Sequence, residues 1–285
     1  MLTLVTGVTG QVGRRFVPRL LARTDRRTDQ VRVLVRDEAR GEPFAERGAQ
    51  VVVGDLRDEE ALAKAVAGVD AVVNVAASFR GVPDEEAWAV NREAAVELGR
   101  AALASGVRRF VQLSTGLVYG EGRGRPVTEE DESRPGGRMW GAYPEAKAMA
   151  ERELLALDGM DVRIARLPFV YGEGDPHLAQ SLMWAAHWAA TQRLHMGHHA
   201  DVAQGLLRIL HAPGADGRIY NIADDAPVTA VELHQLNGVE IPAELYDRTD
   251  PDPWAVIMST ERIRRELGYR PLYPSAWSAR EAGAL

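Results

Sequence analysis

The sequence predicts an α/β protein built on a doubly wound parallel sheet, with a small lobe at its C-terminal end. Three observations carry that expectation. Short β-branched apolar runs recur through residues 2–167, amphipathic stretches separate them, and the alternation stops after Gly172. Runs that are apolar almost throughout belong to strands covered on both faces, and strand–helix–strand alternation makes a sheet parallel.

Strands are expected at residues 2–6, 31–35, 51–53, 71–75, 110–114 and 162–167, with helices at 12–23, 59–66, 84–105 and 144–157. Residues 173–200 are helical in composition and carry Trp184, Trp188 and several histidines. A short strand is expected at 219–222, a Pro-rich stretch follows at 250–254, and 259–268 reads as a helix closed by Gly268. Two domains follow from this rhythm: residues 1–172 as the sheet domain, its sheet completed by later segments near 200–225, and 173–285 as mainly a substrate-binding lobe. Such a lobe would lie over the carboxyl ends of the strands, where ligands of open α/β sheets bind.

Composition narrows the function. A 285-residue chain can bury a large core, and 46% hydrophobic with 26% charged residues is ordinary for a globular protein. The net charge of −7 and the lack of a Lys/Arg run speak against nucleic acid or an anionic membrane as partner. With no cysteine, disulfides and thiolate metal sites are excluded. No apolar run is long enough to span a bilayer, and strand 2–6 enters a glycine-rich turn without a cleavable apolar leader, so a cytoplasmic protein is expected.

Thr6-Gly7-Val8-Thr9-Gly10-Gln11-Val12-Gly13 lies between the first strand and the first helix. Gly7 suits a tight turn, Gly10 a close approach of backbone to a pyrophosphate, and Gly13 close packing of helix on sheet. The helix N-terminus, with Thr9, Gln11 and Val12 around it, adds amide donors and a favourable dipole. A dinucleotide-binding domain of the Rossmann type is therefore expected. The second strand runs out into Arg36-Asp37. An acidic residue there would read the ribose hydroxyls of NAD, whereas an Arg accommodates the 2′-phosphate of NADP. Arg36 favours NADP(H); NAD(H) stays open if Asp37 reads the ribose. Asp55 in Gly54-Asp55-Leu56 is placed to accept from an adenine amino group, and small Ala76 and Ala77 after Val75 let the middle of a cofactor lie against backbone.

Tyr143-Pro144-Glu145-Ala146-Lys147 sets Tyr and Lys on one face of a helix whose start is fixed by Pro144. A free phenol has a pKa near 10. A cation one turn away favours its phenolate and makes proton transfer feasible. Among 34 basic residues only Lys64 and Lys147 are lysines, so Lys147 stands out in a chain that otherwise uses Arg.

With Ser114-Thr115-Gly116-Leu117-Val118-Tyr119-Gly120 closing the fifth strand, the chain resembles the extended short-chain dehydrogenases/reductases, the NAD-dependent epimerase/dehydratase group. The resemblance rests on residues 6–13, 54–56, 74–77, 114–120 and 143–147, on Asn91, on Arg166-Leu167-Pro168-Phe169-Val170-Tyr171-Gly172, on Asp201-Val202-Ala203 and on Tyr220-Asn221-Ile222-Ala223. It implies Thr115, Tyr143 and Lys147 as the catalytic set, with Ser114 the neighbour most easily confused with Thr115. It also implies contacts to the nicotinamide from Leu167, Pro168 and Val170, and a homodimer built on the helices at 84–105 and 144–157.

Sugar-nucleotide dehydratases of that group carry an Asp-Glu pair after the catalytic Thr, where this chain has Gly116 and Leu117. The expected function is thus an NAD(P)-dependent oxidoreductase, reducing a ketone or oxidising a secondary alcohol with Tyr143 as acid/base. The alternatives are a sugar-nucleotide epimerase with tightly bound NAD and a non-catalytic dinucleotide sensor. Arg193 and Arg248 are the Arg residues available for a diphosphate. His195, His198, His199 and Asp201 invite a metal reading, but no period converges them and no metal is expected; Asp201 reads more simply as a helix N-cap.

Overall fold

The computed structural model describes residues 1–23, 29–136 and 141–285. Its strands are β1 (Leu2–Thr6), β2 (Gln30–Val35), β3 (Gln50–Val53), β4 (Ala71–Asn74), β5 (Arg109–Thr115), β6 (Asp161–Leu167), β7 (Phe169–Tyr171), β8 (Arg193–Leu194), β9 (Met196–His198), β10 (Ile219–Asn221) and β11 (Val228–Thr229). Seven of them form one parallel sheet in the order β10-β6-β5-β4-β1-β2-β3. The order reverses between β1 and β4. At that point helices leave towards opposite faces and open a crevice at the strands' carboxyl ends. This is a Rossmann-type sheet.

Its helices are α1 (Gly13–Arg23), α2 (Glu38–Ala45), α3 (Glu59–Val66), α4 (Asp84–Trp88), α5 (Ala94–Ala104), α6 (Ala142–Leu155), α7 (His177–Gln180), α8 (Leu182–Ala185), α9 (His199–His211), α10 (Ala230–Leu236), α11 (Glu261–Leu267) and α12 (Ala276–Glu281). Alternation along each strand feeds two cores. Val5 and Val33 face Phe16 and Leu20 of α1 and Leu206 and Leu210 of α9. Their neighbours Leu4 and Phe110 face Leu62 of α3, Leu98 of α5 and Leu154 of α6. A Cβ at Gly99 would come within 2.4 Å of the Leu154 side-chain tip, so this glycine leaves room for Leu154 where α5 packs on α6. A third, smaller cluster of Tyr171, Met196, Leu233 and Ala276 joins β7 and β9 to α10 and α12.

Several elements depart from the sequence expectation. Residues 84–105 form one continuous helical rod, but with a π-helical turn at Ala89–Glu93 between α4 and α5. A helix that the pattern did not show, α2, begins at Asp37, whose carboxylate accepts the Ala39 amide at 2.9 Å. Residues 173–200 are not one helical segment but two single-turn helices, the short strands β8 and β9 with connecting loops, and the start of α9. Asp201 is no N-cap: it lies inside α9 and accepts the backbone amides of Leu272 and Tyr273. The cap is His198, whose Nδ1 accepts the Ala200 amide at 3.1 Å. The helix ending at Gly268 is present as α11, and Gly268 takes the left-handed conformation at φ 64°.

Candidate active site

The glycine loop is held from below by a buried polar chain. Thr6 Oγ1 donates to Asn74 Oδ1 at 2.6 Å, Asn74 Nδ2 to Gln112 Oε1 at 2.8 Å, and Gln112 Nε2 to the Leu113 carbonyl. These bonds lock β1, β4 and β5 together where the crevice opens. Gly7 has φ +66°, and a Cβ on it would lie 2.4 Å from the Ala76 nitrogen; one on Gly13 would lie 2.4 Å from the Gly7 carbonyl. Both glycines are therefore required by close backbone approach. Among the described residues, the Gln11 and Val12 amides have no acceptor, and the first turn of α1 carries no acidic side chain. Free amides at a helix N-terminus suit a pyrophosphate.

A single cleft of ≈ 1460 Å³ runs from this loop to the C-terminal lobe. Gly7, Thr9, Gly10, Gln11 and Val12 line one end, together with Arg36, Asp55 and Leu56. Val75, Ala76 and Ala77 line its middle, and Thr115, Tyr143, Lys147, Leu167, Pro168 and Val170 surround the far end. Asp37 is engaged in capping α2, while Arg36 borders the cleft. Asp55 is held by Arg57 through its backbone amide at 2.9 Å and its guanidinium at 3.0 and 3.2 Å, which lowers the carboxyl pKa.

Tyr143 occupies the first turn of α6, and Lys147 follows one turn later on the same face. The Lys147 ammonium is buried and donates to the carbonyls of Ala76 (3.3 Å) and Leu113 (3.1 Å). Burial brings its pKa down to about 8, against the pull of Glu151. The Tyr143 phenol is pushed up to about 12 by burial, opposed by the nearby Thr115 hydroxyl and by the charge of Arg80. Arg80 thus brings a positive charge near the phenol, while the Lys147 ammonium is turned to backbone carbonyls. Thr115 also caps the following 3-10 turn by accepting the Leu117 amide at 3.2 Å. The Ser114 hydroxyl borders the same cleft and is buried without a partner.

The wall opposite is aromatic. Phe79 stacks on Tyr143 with centroids 5.0 Å apart, and His177 lies at 6.3 Å from Phe79 and 5.8 Å from Phe169. The Arg80 guanidinium stands over Phe79, Phe169 and Trp184. Phe79, Arg80 and His177 were not singled out in the sequence. Asn91 positions their loop: it donates to the Ser78 and Ala87 carbonyls at 2.6 and 2.8 Å and accepts the Ser78 amide. Asp175, fully buried, accepts from His199 Nε2 at 2.6 Å and lies 3.1 Å from His177 Nδ1.

The histidines near residue 195 are each engaged by the protein. His195 Nδ1 accepts the Met258 amide and Nε2 donates to the Asp224 carbonyl. His198 Nε2 donates to the Ala284 carbonyl, and His199 pairs with Asp175. No group of metal ligands occurs among the described residues.

The sequence pattern of the NAD dependent epimerase/dehydratase family matches residues 3–223. The chain belongs to that family. Its relatives are oxidoreductases, epimerases and dehydratases, and it is an enzyme of this kind. A relative from Stigmatella aurantiaca, 4-hydroxy-2-methyl-3-oxo-4-farnesyl-3,4-dihydroquinoline-1-oxide ketoreductase, is 31% identical over 239 residues, covering 80% of this chain and 70% of its own. A short-chain dehydrogenase/reductase superfamily protein from Agrobacterium tumefaciens, solved with NAD, superposes with a TM-score of 0.76 at 26% identity, over 99% of this chain and 98% of that one. The dTDP-glucose 4,6-dehydratase of Streptomyces venezuelae, also solved with NAD, gives 0.77 at 28% identity, over 99% and 97%. No helix among the described residues is long and apolar enough to cross a membrane.

Proposed function

We propose that this family member is an NADP(H)-dependent ketoreductase acting on a flat ketone. The observation that carries the reading is the buried Tyr143 phenol, which shares one cleft with Thr115, an aromatic wall and the glycine loop. With its pKa pushed up, the phenol is protonated at neutral pH and serves as the acid of a reduction. A dihydronicotinamide, when bound, supplies the hydride to the ketone carbon. Thr115 holds the carbonyl oxygen, Tyr143 passes its proton to that oxygen, and Lys147 fixes the strand ends beneath, with its remaining N–H available to a ribose hydroxyl. Val75, Ala76, Ala77, Leu167, Pro168 and Val170 exclude water from the reacting carbon.

For the cofactor's adenosine end, Arg36 supports NADP(H). A second hollow of ≈ 500 Å³ beside Thr9 is bordered by Arg14, Arg40 and Arg47, so further cations surround the region a 2′-phosphate would enter. The NAD seen in the two solved relatives supports the alternative, an epimerase that retains NAD and returns its hydride. Against a sugar nucleotide stands the state of the two candidate arginines: Arg248 donates to the Ala186 and Trp188 carbonyls, and Arg193 donates to the Pro253 carbonyl and lies over Trp254. Gly116 and Leu117 in place of an Asp-Glu pair argue against a 4,6-dehydratase. The Tyr143/Thr115 pair would have no task in a mere dinucleotide sensor. The assembly proposed with it is a cytoplasmic homodimer through the α4–α5 and α6 face, which sedimentation checks. The reading is tested by titration with NADPH and NADH and by Tyr143→Phe, which should abolish reduction and leave cofactor binding intact.

A further inference from the structure

Arg80 sits in an unusual setting. Its backbone takes φ 60°, in the left-handed region that a non-glycine side chain adopts at a cost, and Gly81 follows at φ 69°. Its guanidinium carbon lies 4.6 Å from the ring centre of Trp184, 5.0 Å from that of Phe79 and 5.3 Å from that of Phe169. Phe79 is its neighbour in the loop, while Phe169 and Trp184 come from segments far along the chain, so the fold brings two of the three rings to the cation. Its one hydrogen bond among the described residues is a long one, from Nη1 to Gln180 Oε1 at 3.5 Å.

A guanidinium carries five N–H donors in a plane, and aromatic faces leave its edge free. Three other charged groups around this end of the cleft are occupied. Arg193 is held by Pro253 and Trp254, Asp175 by His199 and His177, and Asp252 accepts the Gly122 amide at 2.6 Å. Arg80 therefore remains as a cation exposed to the cleft, set against the rings and with unused donors, near the Tyr143 phenol.

We propose that Arg80 is a specificity-determining residue: its fork grips a planar carboxylate on the substrate, so that the enzyme selects acidic aromatic ketones over neutral ones of the same shape. The proposal rests on the ketoreductase reading for where the ketone lies. A carboxylate matches the spacing of two guanidinium N–H groups, and Arg binds such anions bidentately when its plane is fixed. The rings serve twice, orienting the guanidinium and offering a face to an aromatic ligand. The charge of Arg80 reaches both Asp175 and Tyr143, so the same group links substrate selection to the proton donor.

The test uses 4-acetylbenzoate and 4-acetylbenzamide, which differ in charge but hardly in shape. Binding to the full chain loaded with NADP⁺ is measured calorimetrically, without turnover. The acid should bind about 10-fold or more tightly than the amide, the ratio a charge-assisted bidentate pair implies. Arg80→Leu should bring the ratio close to one, and Arg80→Lys should restore it in part. Arg80→Gly guards against misfolding, since glycine accepts the local backbone without strain, and it too should lose the preference while still binding the amide. An unchanged ratio in the Leu and Gly variants would overturn the proposal, as would no preference, or no binding of either compound, in the wild type. Failure of the ketoreductase reading is recognised separately, by NADPH transferring no hydride to either ketone.

Discussion

The Lys147 ammonium donates to the Leu113 carbonyl at 3.1 Å, burying a charge between the ends of β4 and β5. Holding it there opposes folding, because its pKa falls from 10.5 to about 8. Below pH 8 the lysine is charged in both states and the folded state bears the full penalty. Between 8 and 10.5 the unfolded chain binds more protons, so this group's contribution improves as pH rises. Lys147→Met should thus be more stable than wild type at pH 7, by on the order of 3 kcal/mol before the lost hydrogen bonds are subtracted. The gap should close towards pH 10, and the variant should be inactive. Denaturant melts across that range check the slope.

The two hydroxyls at the end of β5 should separate cleanly. Thr115→Ala removes the donor beside Tyr143, and kcat should drop by about 10²-fold or more, the usual effect of losing one donor to a developing oxyanion. Thr115→Ser should recover most of that. Ser114→Ala deletes a hydroxyl without a partner and should change kcat by less than about 3-fold and leave stability level or higher. Steady-state kinetics on the three variants decide the matter.

Arg36→Ala should weaken NADPH by about 10- to 100-fold, as expected for losing a charged hydrogen bond to phosphate, and leave NADH within about 2-fold. Equal loss for both cofactors would point to a structural role for Arg36. Fluorescence titration of the bound dihydronicotinamide gives both constants.

Asp175 is a buried carboxylate between His199 and His177, whose hydrogen bonds hold its pKa well below the usual carboxylate range despite the opposing cost of burial. A depressed carboxyl contributes stability above its ordinary 3.8, and that contribution is lost as pH falls through the lowered value. Asp175→Asn should cost on the order of 2–3 kcal/mol at pH 7. The difference from wild type should shrink in acid. Thermal melts from pH 7 downwards read both the cost and its disappearance.

Much of this molecule was legible in its sequence for physical reasons. Strands covered on both faces must be apolar throughout, so β1, β2, β4, β5 and β6 were found within a residue or so of their ends. Gly7 and Gly13 signal themselves because no other residue fits there. Short helices were harder. Helix α2 contains Gly41 and Pro43, which weaken its propensity, and it exists through the Asp37 cap and packing of Phe44. Residues 173–200 have helical composition, but the chain breaks after one turn where Trp184 and Phe169 must meet. The aromatic box has no sequence signature because Phe169 and Trp184 lie about 90 and 100 residues beyond the Phe79-Arg80 pair that they join in the fold. Asp201 resembled a cap by type, yet its carboxylate is drawn to the amides of residues far along the chain.

The reductase reading stands or falls on hydride and proton moving together at Tyr143. Enzyme supplied with NADPH deuterated at the transferring C4 position and with 4-acetylbenzoate should yield an alcohol carrying deuterium on its carbinol carbon, with one NADPH consumed per product. Tyr143→Phe should slow that label transfer by about 10²- to 10⁴-fold at unchanged NADPH affinity. Wild-type enzyme leaving the ketone unlabelled, or Tyr143→Phe transferring label at the wild-type rate, would contradict it.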